Sequence, residues 1–257
     1  MVKVLYTAYT GMKYQQEKMD VITNNLANSA TVGFKREGAT AQTFKDVLAV
    51  KIKDASEAFV DKGIGDMSMG VHFGETYRDY SQGSLRETSS NTDVALEGSG
   101  FFTISYTNKA GETSQKYTRD GSFIMTQEGY LTTKDGDFVL GNNSAPIQLD
   151  TAAEIEIDSL GRIYQNGEFK NQLRIVDVED TNYLKKFGEN LYDLVEGGTE
   201  TEAQATVRQS YLEQSNVQVV SEMVELITVT RAYEANQKMI QNIDNTLDKS
   251  VNTVGRV

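Results

Sequence analysis

Leu5, Met12, Met19 and Leu26 recur every seven residues, with Ala8 and Ile22 at the offset position and Gln15 as the polar exception. This heptad seam predicts a helix over about residues 2 to 28. At about 1.5 Å per residue it would be about 40 Å long. Asn28, Ser29 and Gly33 supply its stop signals. A second seam closes the chain: Leu226, Tyr233, Ile240, Leu247 and Val254 repeat with the same spacing. Ser215 and Gln218 fit a capping box, so the helix is expected over about 215 to 253. Val217, Val220, Val224 and Ile227 form a second stripe on another face. A helix with two apolar faces must meet more than one neighbour.

The middle changes period. Short β-branched and aromatic runs at 101–106, 122–126, 138–140, 155–157 and 172–176 are separated by Asp120-Gly121, Glu128-Gly129, Asp135-Gly136 and Asn166-Gly167. Such spacing predicts an antiparallel meander or small barrel. Residues 35–92 show no clear period, and Gly63, Gly65, Gly70 and Gly74 suggest an extended, irregular connector. The expected class is α+β, with long N- and C-terminal helices joined in a coiled-coil-like stalk around a central antiparallel β domain. The expected parts are 1–34 (first helix), 35–92 (connector), 93–207 (acidic β domain) and 208–257 (last helix).

Charge sharpens this division. Of the 257 residues, 1–36 carry five Lys/Arg against two Asp/Glu, 37–207 fifteen against twenty-nine, and 208–257 five against six. The ends can pack together without large repulsion, while an acidic middle faces solvent and disfavours nucleic acid. No apolar run is long enough to span a membrane, and the first residues lack the pattern of a cleaved secretory signal. With no cysteine and a single histidine, His72, a thiolate or zinc site is excluded, and a Ser-His-Asp arrangement would need His72, which has no nucleophile motif nearby. Asp135-Gly136-Asp137 and Asp177, Glu179 and Asp180 could hold calcium, but turn chemistry on a solvated face explains them better. Paired carboxylates for glycoside chemistry stay open, because their separation in space is not readable. The competing class is therefore an exported enzyme or ligand-binding module on a coiled-coil stalk. No catalytic, metal or cofactor residue is assigned.

Asn24-Asn25-Leu26-Ala27-Asn28, followed by Gly33-Phe34-Lys35-Arg36, resembles the N-terminal signature of flagellar rod and hook proteins. Asn91-Thr92-Asp93-Val94-Ala95-Leu96-Glu97-Gly98 with Gly100-Phe101-Phe102, then Tyr117-Thr118-Arg119-Asp120-Gly121-Ser122-Phe123, is similar to the start of that family's β domain. Leu212-Glu213-Gln214-Ser215-Asn216-Val217 and Arg231-Ala232-Tyr233-Glu234-Ala235-Asn236 are similar to its C-terminal helix. Within the family the likeness is to the distal-rod type. Ser210 stands where that type usually carries glycine, which leaves the proximal-rod type open.

The resemblance implies a structural subunit of the bacterial flagellar basal body that polymerises into the helical shaft carrying torque to the hook. Its partners would be copies of itself, neighbouring rod and hook proteins, and the flagellar type III export gate, with no nucleic acid and no membrane insertion. It would be exported uncleaved. The assembly surface would be Leu5, Met12, Met19, Ile22, Asn24, Asn25, Leu26 and Asn28 on the first helix. On the last it would be Val217, Val220, Leu226, Tyr233, Ile240 and Leu247. Val2-Lys3-Val4-Leu5 and Phe44 with Leu48 would serve export recognition, although Phe and Leu four apart are commonly core partners.

Overall fold

The two seams become α1 (Val2–Ala27) and α2 (Val219–Lys249), the latter running into a π turn at Ser250–Val254. The computed structural model describes residues 2–50, 63–109, 111–188 and 190–254. The expected capping box does not form. Gln218 is the N-cap of α2 and makes no side-chain cap bond, while Ser215 Oγ accepts from Val217 N at 3.2 Å. The reason lies at Asn216. Its Oδ1 accepts from Arg36 N at 2.8 Å and its Nδ2 donates to Ser81 O at 3.2 Å, which holds this segment out of the helix.

The chain forms two compact units, and they cut it differently from the four expected parts. The first comprises Met1–Ala27, Glu37–Asp79 and Gln218–Val257; the second comprises Asn28–Arg36 and Tyr80–Val217. Where an irregular connector was expected, the first unit holds β1 (Glu37–Thr43), β2 (Val47–Val50), β3 (Gly63–Met67) and β4 (Val71–Arg78). β1 pairs antiparallel with β4, and β2 with β3. These strands escape a periodicity search because β1 reads Glu-Gly-Ala-Thr-Ala-Gln-Thr and has no apolar face. Its only buried residue, Gly38, is a place where a Cβ would collide with the Tyr77 ring. Close approach, not apolar alternation, builds this ladder.

The second unit is the antiparallel β domain. Its strands are β5 (Leu85–Glu87), β6 (Val94–Glu97), β7 (Phe101–Thr107), β8 (Thr113–Thr118), β9 (Ile124–Met125), β10 (Leu131–Thr132) and β11 (Phe138–Val139). They continue with β12 (Ile155–Ile157), β13 (Arg162–Gln165), β14 (Glu168–Gln172), β15 (Ile175–Val178), β16 (Leu184–Phe187), β17 (Leu191–Leu194), β18 (Glu200–Glu202), β19 (Thr206–Gln209) and β20 (Tyr211–Glu213). The main sheet runs β16-β17-β8-β7-β11-β10-β9. β7 is its spine: one edge pairs with β8 along its length, and the other pairs with β15 at Phe101 and Phe102 and with β11 at Ile104 and Ser105. Phe102 and Ile104 enter one core with Phe123, Leu131, Ile147 and Ile163, while Phe101 enters a second with Tyr117, Val176 and Tyr192. Burial on both faces explains the unbroken Phe-Phe-Thr-Ile run. Asn166-Gly167 is the two-residue turn of the β13–β14 hairpin, closed by Gln165 opposite Glu168, with both turn residues at positive φ as such turns require.

Ser210 joins β19 to β20 at φ 62. Its N–H donates to Asp93 O, and its carbonyl accepts from Thr88 N, each at 2.8 Å. A non-glycine residue held left-handed costs roughly 1–2 kcal/mol, part of which glycine would return as unfolded-chain entropy. Ser210→Gly should therefore stabilise the domain by about 0.5–1 kcal/mol, read as a higher urea midpoint at unchanged slope. An unchanged or lower midpoint would show that the position carries no strain.

Candidate assembly interface

α1 and α2 pack antiparallel within the first unit. A Cβ on Gly11 would meet Asn236 Nδ2 at 3.2 Å, Lys18 Nζ lies 2.8 Å from Glu225 Oε1, and Asn25 Nδ2 donates to Glu222 Oε2 at 3.2 Å. The bond to Glu225 raises the Lys18 pKa above its ordinary value, against a smaller opposing effect of burial. Ala8, Ile22, Glu222 and Val229 are buried. Leu5, Met12, Met19 and Leu26 on α1 and Leu226, Tyr233 and Ile240 on α2 are half-buried, while Leu247 is exposed.

The Asn-rich motif does local work where α1 stops. Asn25 is 1% exposed. Its Nδ2 also donates to Glu37 O at 2.8 Å, and its Oδ1 accepts from Glu37 N at 2.9 Å. It thus joins α1, the start of β1 and α2 by one amide that satisfies buried backbone groups on both sides. Asn28 Oδ1 takes the Thr31 hydroxyl at 3.3 Å in the turn after the helix. Asn24 is exposed. Ile22, Asn25 and Val217 are buried within the chain itself, so these three are not on its free surface.

A second polar knot lies inside the β domain, and sequence reasoning missed it. Lys35 Nζ donates to Glu213 Oε1 at 2.6 Å and to Ser81 O at 2.8 Å. Arg119 Nη1 donates to Glu213 Oε2 at 3.2 Å, and its Nη2 to Gly98 O at 2.8 Å. Gly83 N and Gly33 N add bonds to Glu213 Oε1 and to its carbonyl. Lys35, Glu213 and Arg119 are 2%, 1% and 4% exposed. One carboxylate thus gathers two cations and one backbone amide, and the main-chain carbonyl of the same residue takes a second amide. Each charged residue belongs to a motif quoted above for its resemblance, and that shared membership was the available signal.

The remaining candidates separate into turn chemistry and open surface. Asp177 accepts from Ser99 Oγ at 2.6 Å, Glu179 from Thr199 Oγ1 at 3.0 Å, and Asp180 caps the short helix Thr181–Tyr183. A cleft of about 350 Å³ in the β domain is lined by Asp120, Asp135 and Asp137 among others. Burial and neighbouring Asp135 push the Asp137 carboxyl up, while Asp120 is occupied by the backbone and hydroxyl of Ser122. Among the described residues no three His, Cys, Asp or Glu come together as a metal site, and no helix is long and apolar enough to cross a membrane. Phe44 is half-buried, with its ring 4.8 Å from that of His72 and 6.2 Å from that of Tyr6. Leu48 lies on β2, and its side chain falls outside the described residues, as does that of Val254.

An apolar stripe on α2 stays uncovered. On α2, Val220 is 77% exposed, Val224 60%, Ile227 53% and Met223 50%. Their spacing of three and four residues places them on one stripe. Buried Glu222 and Val229 mark the opposite side. Val217, expected on this stripe, precedes the helix and is buried.

Three family models match the chain. "Flagella basal body rod protein" covers residues 5–35, "Flagellar hook protein FlgE/F/G D1 domain" covers 95–165, and "Flagellar basal body rod FlgEFG protein C-terminal" covers 208–253. The flagellar basal-body rod protein FlgG of Agrobacterium fabrum is 35% identical over 262 residues, covering 95% of this chain and 96% of that one. FlgG of Buchnera aphidicola from Acyrthosiphon pisum is 33% identical over 265 residues, with 97% and 98% covered. The flagellar hook-basal body complex protein FlhO of Bacillus subtilis is 30% identical over 272 residues, with both chains fully covered, 100% and 100%.

Proposed function

Because the chain belongs to the flagellar basal-body rod protein family, we propose that it is a rod subunit that polymerises through its terminal helices into a torque-bearing shaft. It is a structural protein of the flagellar basal body, and the relatives give no support to an enzyme on a stalk. In this reading α1 and α2 form a coiled-coil-like stalk whose inner seam closes within the chain. The outer faces close against sister copies and against neighbouring rod and hook proteins. The acidic β domain stays toward solvent. Export through the type III gate would use Val2-Lys3-Val4-Leu5 and Phe44 with Leu48.

The observation that carries this reading is the bare stripe of Val220, Met223, Val224 and Ile227 on the side of α2 away from α1. Monomers seldom leave so contiguous an apolar face wet. Each side chain contributes roughly 1.5–3 kcal/mol when a neighbour covers it. Repetition of one head-to-tail contact without closure yields a filament. Val224→Asp with Ile227→Asp should abolish sedimentable polymer and leave the monomer's circular dichroism and melting curve unchanged. Polymers that form normally from this variant would sink the assignment.

A further inference from the structure

Resting on the reading above, we infer that Tyr6 and Tyr9 of one copy seat on the Val220, Met223, Val224 and Ile227 stripe of the next. Tyr6 is 42% and Tyr9 51% exposed, so α1 carries an uncovered apolar patch of its own. The approach of Gly11 to Asn236 and of Asn25 to Glu222 fixes the antiparallel register of the two helices. By that register Tyr6 and Tyr9 lie level with the region around Met239, while the stripe sits some sixteen residues earlier on α2. At 1.5 Å per residue the two patches are about 24 Å apart along the helix pair. They cannot cover each other within one molecule.

The two patches fit each other chemically. The stripe is free of charge because Glu222 and Glu225 turn toward α1, where they meet Asn25 and Lys18. Charge depletion at the centre and tyrosine as anchor are what a specific protein contact shows. A tyrosine ring buries a large apolar area and keeps its hydroxyl for the wet rim. One patch is aliphatic and the other aromatic, so neither needs to pair with its own kind. Repeated head to tail, with each copy displaced along the helix pair, this contact extends a filament.

The chain contains no cysteine, so introduced thiols report this contact without background. Tyr9→Cys and Val224→Cys chains are mixed with an excess of the unaltered chain, polymerised and oxidised with copper phenanthroline. Incorporation is read from the variant peptides in the pellet. The disulfide between the Tyr9→Cys and Val224→Cys peptides should appear in the polymer. It should be absent from dilute monomer, and from polymers in which Asn242→Cys replaces Val224→Cys. Polymers that incorporate both variants without this link, or that link two Val224→Cys chains instead, overturn the pairing and leave the rod-subunit reading standing. Failure of the unaltered chain to polymerise at all overturns both.

Discussion

Glu213→Ala is expected to cost the β domain about 3–5 kcal/mol, the range for breaking a buried ion pair. The substitution leaves Lys35 and Arg119, both buried, facing each other without the carboxylate that joins them. Domain stabilities are about 5–15 kcal/mol, so this loss approaches the whole. Urea unfolding followed by tyrosine fluorescence reads it, since the chain has thirteen tyrosines and no tryptophan. Glu213→Gln should recover little, because an amide cannot neutralise two cations. Lys35→Met, Glu213→Leu and Arg119→Met together should recover part of the loss, as apolar replacement of buried ionic groups often does. Recovery is incomplete because Gly98 O loses the Arg119 donor and Ser81 O loses Lys35 and keeps Asn216 Nδ2. A loss below about 1 kcal/mol for Glu213→Ala, the scale of an exposed pair, would contradict the burial described.

Gly33→Ala is the second large effect, at about 2–4 kcal/mol. Gly33 has φ 69, and a Cβ there would stand 2.6 Å from both Arg119 C and Asp120 N. The left-handed backbone alone costs an alanine roughly 1–2 kcal/mol. The overlap is with backbone, so relief requires the turn at 33–36 to move away from 119–120. That movement would pull Lys35 from Glu213. Gly136→Ala separates the two contributions, because Gly136 has φ 93 and nothing within 4 Å of its added Cβ. It should lose only about 1 kcal/mol. Equal losses at the two glycines would remove the argument from close approach.

The parts of this fold that could be read from sequence are those where burial follows chain period. Both helices came from their heptads, and β7, β12 and the Asn166-Gly167 hairpin from β-branched runs and turn residues. β8 did not, because Thr-Ser-Gln-Lys-Tyr-Thr has no apolar alternation. Its buried Lys116 is held by Asp193 at 2.8 Å, seventy-seven positions along the chain. β1 failed for the same reason, being built of small and polar residues. The Lys35–Glu213–Arg119 knot joins residue types that composition assigns to the surface, and only tertiary proximity shows that they meet. On α2 the exposed stripe was visible as a second face. The start at Val219, later than the expected 215, was not, because Asn216 is diverted by Arg36 and Ser81.

The antiparallel run of α1 and α2 sets the first turn of the one beside the last turn of the other. Labels at the Val2 end of α1 and at the Lys249 end of α2 would therefore crowd one place, next to Tyr6 and Tyr9. The Asn166-Gly167 hairpin tip, where a Cβ on Gly167 would meet nothing within 4 Å, is the better seat for an epitope or dye meant to follow the subunit in a living cell.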